Sequence, residues 1–158
     1  MIFYTDLKVP TGDLLLIKED REITGVFWKS YKKVPKPEEN WINDPSEFTD
    51  AIKQIQEYFD GKRKSFDIKI RAAGTDFQKA VWSVIAKIPY NQSLTYKQVA
   101  EKIGKPKAVR AVGTAVGSNP LCIVVPCQRV STASGTISGY AGGIESKRYL
   151  LELERTYA

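Results

Sequence analysis

Three short β-prone runs open the chain: Ile2 to Leu7, Leu14 to Lys18 and Ile23 to Trp28. Pro10, Thr11, Gly12 and Asp13 separate the first two, and an acidic turn from Glu19 to Glu22 separates the next pair. This pattern predicts a small antiparallel meander. The stretch from Lys32 to Pro45 is rich in Pro, Lys and Glu and reads as a loop. From Ser46 onward Phe48, Ile52, Ile55 and Phe59 recur at helical spacing, with Gly61 as the stop signal, so an amphipathic helix is expected to pack on the sheet. Ser65 to Ile70 is expected to return as one more strand.

The second half reads as mainly helical. Phe77, Val81, Val84, Ile85 and Ile88 form one apolar stripe, introduced by Thr75 and Asp76 and closed by Pro89. Thr95 and Gln98 have capping-box spacing; Val99, Ala100 and Ile103 should face inward, and Gly104 ends that segment. Pro106 then marks the first turn of a helix over Lys107 to Val116, with Val109, Val112 and Val116 on its inner face. Helix, Gly-containing turn, helix is the helix-turn-helix pattern. The small residues Ala108, Ala111, Gly113, Thr114 and Ala115 would let that second helix approach either a nucleic-acid groove or a neighbouring helix closely. The expected fold class is thus α+β: a small N-terminal α/β domain over residues 1–70, a linker at 71–74, and a mainly helical, winged-helix-like domain over 75–158.

Charge sharpens this division. The chain carries a formal net charge of +6 in 158 residues. Residues 1–70 net −1 and residues 71–158 net +7, so the basic character belongs to the second domain. Within it, Lys97, Lys102, Lys105, Lys107 and Arg110 are opposed only by Glu101, which suits either a polyanionic partner or a solvated helix face.

Composition removes several chemistries. The chain contains no histidine, which excludes Ser-His and Cys-His nucleophile pairs and His-ligated metals, and its two cysteines cannot build a four-sulfur zinc site. No residue calls for a metal or a cofactor. The N-terminus lacks a signal-peptide run and no apolar stretch reaches membrane-spanning length, so a cytoplasmic protein without membrane attachment is expected. Cys122 and Cys127 flank a β-branched run that reads as a strand; extended, it would hold them roughly 16 Å apart and leave both thiols free. Cys122 reads as a buried filler, while Cys127, next to Pro126 at the strand's end, is either structural or a nucleophile.

From Gly74 to Glu154 a series of motifs follows in order: FQKAVW (Phe77–Trp82), IPYNQ (Ile88–Gln92), TYKQVA (Thr95–Ala100), IGKPKAVRAVG (Ile103–Gly113), NP (Asn119–Pro120), PCQRV (Pro126–Val130), GYAGG (Gly139–Gly143) and KRYLLELE (Lys147–Glu154). In this series the chain resembles the O6-alkylguanine-DNA alkyltransferases. The resemblance implies a ribonuclease-H-like N-terminal domain and a reaction in which a flipped-out guanine passes its O6-alkyl group irreversibly to one cysteine, here Cys127. Each molecule would react once. It further implies that Tyr96 supports the leaving guanine, Glu154 ends a hydrogen-bond relay, Asn119 orders the hinge, and Arg129 is a structural and electrostatic partner of the cysteine. Tyr140, Ala141, Gly142 and Gly143 would wall the substrate pocket. Arg110 would enter the base stack from a helix lying in the minor groove of double-stranded DNA, with Ala108, Ala111, Thr95 and Lys107 as further DNA-facing positions. A monomer is expected.

Two positions depart from the family pattern. Gln128 stands where the family usually has a histidine; an amide orients a water but takes no proton near neutral pH. Cys127 would then need activation by Arg129, by helix ends, or by a water leading to Glu154. Ala141 stands where some members carry a serine hydroxyl. Two other readings remain: a lesion binder that does not repair, and a helix-turn-helix regulator without alkyl chemistry. Transfer of alkyl to protein separates the first, and operator preference over random duplex the second.

Overall fold

The computed structural model describes residues 1–134 and 140–158. The loop after Gly135 and Gly139 of the GYAGG motif lie outside the described residues. The first three strands are β1 (Ile2–Val9), β2 (Gly12–Glu19) and β3 (Glu22–Trp28), paired antiparallel in succession. Leu14 and Leu16 on β2, Ile23 and Val26 on β3, and Trp28 at its end are buried, and Leu15 and Ile17 are buried on the other face of β2, so the meander is covered on both faces there. The loop expected over Lys32 to Pro45 contains a two-residue strand, β4 (Ile42–Asn43), that pairs parallel to β1 and gives the sheet order β3-β2-β1-β4.

Asp44 then caps a 3₁₀ turn over Pro45–Phe48, accepting from the Ser46 N–H at 3.0 Å, and α1 (Thr49–Phe59) follows directly. Its buried side chains, Ala51, Gln54, Ile55, Tyr58 and Phe59, face the core. The strand expected over Ser65 to Ile70 does not form. Gln54 occupies both backbone groups of Asp67, accepting its N–H at 2.9 Å and donating to its carbonyl at 3.0 Å, so only one parallel bridge, Ile23 to Ile70, reaches the sheet.

In the second half, α2 (Asp76–Ala86) and α3 (Tyr96–Lys102) each begin with a complete capping box, Thr75 with Gln78 and Thr95 with Gln98. A two-residue strand β5 (Leu94–Thr95) immediately precedes α3. Gly104, at φ +75°, makes the left-handed turn that leads toward α4 (Val109–Gly117). That helix starts two residues later than the sequence indicates, because Lys105 to Ala108 close a separate turn, with the Ala108 N–H donating to the Lys105 carbonyl at 2.9 Å. Its buried face is Val112, Ala115 and Val116, whereas Val109 is 37% exposed. The Trp82 indole of α2 donates to the Ala115 carbonyl at 2.8 Å and locks α4 in place. A further two-residue strand β6 (Val130–Ser131) and the terminal α5 (Gly143–Thr156) complete the domain; β6 pairs parallel to β5. Together these make an N-terminal sheet domain and a helical C-terminal domain. Among the described residues no helix is long and apolar enough to cross a membrane.

Candidate functional site

The apolar segment after Asn119 is a turn, not the strand its β-branched residues suggest. Ile123 takes φ +73°, the Val125 N–H returns to the Leu121 carbonyl at 2.8 Å, and Cys122 bridges to Val125. Asn119 holds the turn from inside: its amide donates to the Val125 carbonyl at 2.8 Å and its side-chain oxygen accepts from the Leu121 N–H at 2.9 Å. The N-terminal sheet holds it from outside. Val26 on β3 donates to the Pro120 carbonyl at 2.8 Å and accepts from the Cys122 N–H at 3.0 Å. Residue 121 thus extends the exposed edge of β3, which satisfies that edge and joins the two domains through backbone hydrogen bonds.

The fold-back overturns the expected separation of the cysteines. Both are free and buried, as expected, but the Cys122 thiol faces Cys127 instead of lying a strand's length away. Cys127 opens a 3₁₀ turn over Cys127–Arg129, with Pro126 before it. Hydrogen bonding from the Cys122 thiol, then the Asn119 side chain and the positive charge of Lys147, outweigh burial and hold the Cys127 thiol below the usual cysteine range. The interaction with Cys127 and burial push the Cys122 thiol well above that range, and the thiol donates to the Asn119 carbonyl at 3.8 Å. Lys147 is buried at 1% exposure on α5 and donates to the Val130 carbonyl at 2.8 Å. Burial lowers its pKa, and the adjacent Cys127 opposes that shift.

Arg129 does not activate Cys127, contrary to one expectation from the sequence. Its guanidinium grips the Glu154 carboxylate at 2.9 and 3.0 Å and the Ile88 carbonyl at 2.6 Å, so its charge is committed away from the thiol. Glu154 is 1% exposed and accepts from three further donors: the Tyr58 hydroxyl at 2.6 Å, the Asn91 N–H at 2.9 Å and Gln128 Nε2 at 3.2 Å. Gln128 Nε2 also approaches the Tyr58 hydroxyl at 3.4 Å, while its Oε1 is buried without a hydrogen-bond partner. Burial and the Glu154 charge drive the Tyr58 phenol far above its ordinary range, so it remains a donor.

A cleft of about 760 Å³ opens beside this centre. Tyr96 lines one side, with Gly113 and Thr114 of α4; Tyr140, Ala141, Gly142 and Gly143 line another. The Tyr140 hydroxyl accepts from the Trp28 indole at 3.3 Å and is close enough to the cysteines for their charge to raise its pKa, adding to the larger effect of burial. Gly142 has no room for a side chain, since a Cβ there would lie 2.6 Å from Trp28. The pocket loop therefore rests directly on the N-terminal domain. Among the described residues no group of three His, Cys, Asp or Glu side chains converges as a metal cage.

Two family models cover this arrangement: 6-O-methylguanine DNA methyltransferase, ribonuclease-like domain, matches residues 2–72, and 6-O-methylguanine DNA methyltransferase, DNA binding domain, matches residues 76–156. The chain belongs to the 6-O-methylguanine DNA methyltransferase family. A methylated-DNA--protein-cysteine methyltransferase of Methanosarcina acetivorans is 42% identical over 97% of this chain and 98% of its own length. The constitutive enzyme of that name from Bacillus subtilis is 39% identical over 98% and 96%. The crystal structure of Mycobacterium tuberculosis OGT in complex with DNA superposes with a TM-score of 0.92 at 40% identity, covering 99% of this chain and 94% of that one.

On this methyltransferase framework the remaining sequence-predicted residues lie on α4, in the turn before it, and at the start of α3. Arg110 and Ala111 are exposed on α4, Ala108 is half-buried at its start, and Lys107 is exposed in the turn before it. Thr95 caps α3 through its hydroxyl, which places Tyr96 as the first helical residue at the cleft. β5 and β6 pair Thr95 with Ser131 and Leu94 with Val130, fixing Tyr96 relative to the Cys127 turn. Sequence reasoning missed Trp28, Tyr58 and Lys147. Trp28 and Tyr58 lie in the half that showed no chemistry, and contacts 112 and 96 residues apart leave no local signature. Lys147 did carry a signal: it stands on the buried stripe of α5 with Leu150 and Glu154, where a lysine needs a reason.

Proposed function

We propose that this protein repairs DNA by direct, stoichiometric transfer of the alkyl group from O6-alkylguanine to Cys127. The Cys127 thiolate attacks the alkyl carbon; the S–C bond forms, the C–O bond breaks, and the electron pair passes to guanine O6. Tyr96 supplies hydrogen bonding or a proton to the leaving base, and the Tyr140–Gly143 loop encloses the alkyl group. The observation that carries this reading is that Tyr140, close enough to Cys127 to feel its charge, lines with Tyr96 a cleft large enough for a flipped base. The thioether has no ready leaving route, so the acceptor is not regenerated. Asn119 and Arg129 act as positioning residues. Glu154 gathers five donors around the turn that carries Cys127.

The partner in this reading is double-stranded DNA bound through its minor groove by α4, with Arg110 entering the stack and Ala108, Ala111, Thr95 and Lys107 beside it. The protein acts as a monomer in the reducing cytoplasm, where both thiols persist. Residues 71–74 link the N-terminal unit of 1–70 to the acceptor domain of 75–158. Titrating a duplex containing O6-methylguanine with the protein tests the reading. Lesion loss should stop at one per protein chain; continued turnover, or tight binding with the lesion intact, contradicts it.

A further inference from the structure

The cleft has a third wall, and it comes from the N-terminal domain. Ser30, Tyr31, Lys32 and Lys33, just beyond β3, line it together with Gly113 and Thr114 of α4. This segment is not a loose loop. The Tyr31 N–H donates to the Trp28 carbonyl at 3.0 Å, the Val34 N–H returns to the Tyr31 carbonyl at 3.1 Å, and the Tyr31 ring packs against the core. Lys32 and Lys33 are therefore exposed side chains on an anchored turn. Lys29 next to them is neutralised by Asp6 at 2.8 Å, whereas Lys32 and Lys33 make no ion pair among the described residues. A domain that nets −1 thus places two uncompensated positive charges in the wall of a cleft that α4 also lines through Gly113 and Thr114.

We infer that Lys32 and Lys33 form a second phosphate-binding edge, gripping the DNA strand that carries the flipped nucleotide from the N-terminal domain. This rests on the proposed function, because a base can enter the cleft only if its strand crosses the mouth. The flanking phosphates then lie between the basic face of the second domain and this lysine pair. Binding to DNA is accordingly shared between both domains, and the N-terminal domain adds charge as well as support.

The test compares Lys32→Ala/Lys33→Ala with a control, Lys8→Ala/Lys53→Ala, which removes the same charge from exposed sites outside the cleft. Affinity for an unmodified duplex is measured across a salt series, and alkyl uptake from free O6-benzylguanine is followed by intact mass. Removing two phosphate contacts should lower the salt slope by about 1.8, which weakens binding by about 60-fold near 0.1 M salt relative to 1 M. The control should match the wild type in affinity, in salt slope and in uptake from the free base. A slope and affinity equal to wild type overturn the inference, as does equal weakening in the control. If the wild type takes no alkyl group from either free base or DNA, the proposed function fails, while the salt series still decides the role of the lysine pair.

Discussion

Gln128 donates to Glu154 at 3.2 Å while its own carbonyl oxygen is buried with no partner. An amide here satisfies the carboxylate but leaves one acceptor stranded, at a typical cost of about 1–3 kcal/mol. The Cys127 thiol is lowered by Cys122, Asn119 and Lys147, with no contribution from residue 128. Gln128→His keeps a donor toward Glu154 and adds a group that accepts a proton near neutral pH. The variant should take up alkyl faster than wild type below the midpoint of the wild-type pH profile, measured as single-turnover rate against pH. A slower variant would show that the pocket is built around the amide.

Lys147 and Cys122 supply the charge and the proton donor that hold Cys127 low, so removing either should raise its pKa. The thiolate is the reactive form, and the rate climbs as pH rises through the thiol pKa. Lys147→Met and Cys122→Ala should therefore each move the midpoint of the rate profile to higher pH, with the rate above the midpoint largely kept. Reaction with a small thiol reagent across pH reads the same midpoint without DNA. An unmoved midpoint in both variants would reject this account of activation.

The Arg129–Glu154 pair is buried on both sides, with side-chain exposures of 7% and 1%. Glu154→Gln keeps the shape but leaves the guanidinium without its counter-charge, and breaking one side of such a pair typically costs about 3–5 kcal/mol. Chemical denaturation should show a loss of this size, against about 1.5–3 kcal/mol for Tyr58→Phe, which removes the hydroxyl's hydrogen bond to the carboxylate and its weaker one from Gln128. Equal small losses would mean that Glu154 does not organise the turn.

Arg110 is exposed on α4. Arg110→Ala should slow repair of a duplex lesion by about tenfold or more, while the reaction with free O6-benzylguanine stays within about twofold, since no stack has to be opened there. Equal slowing on both substrates would remove Arg110 from base extrusion.

Much of the scaffold was legible because its signals are local. Thr75 as a cap candidate and Thr95 with Gln98 as a capping box mark two helix starts, and in the structure Gln78 completes a box at the first as Gln98 does at the second. Leu121 to Val125 misled because β-branched residues signal burial as much as extension; here they are buried in a turn whose geometry depends on Asn119 and on Val26, almost a hundred residues earlier. The same turn brings Cys122 to Cys127, so an estimate based on extended chain length failed. Ser65 to Ile70 failed for another non-local reason, the claim of Gln54 on the Asp67 backbone. Val109 carries the right period for the buried face, yet the late start of α4 leaves it exposed.

The central claim is that Cys127 itself receives the alkyl group. Intact-protein mass after exposure to duplex DNA containing O6-methylguanine, followed by peptide mapping, tests it most directly. The account predicts one added methylene mass per chain, located on the peptide at Cys127, and no gain in Cys127→Ala that still folds and binds DNA. No mass gain on the wild-type chain, or a methyl group mapped to Cys122 or another residue, would contradict it.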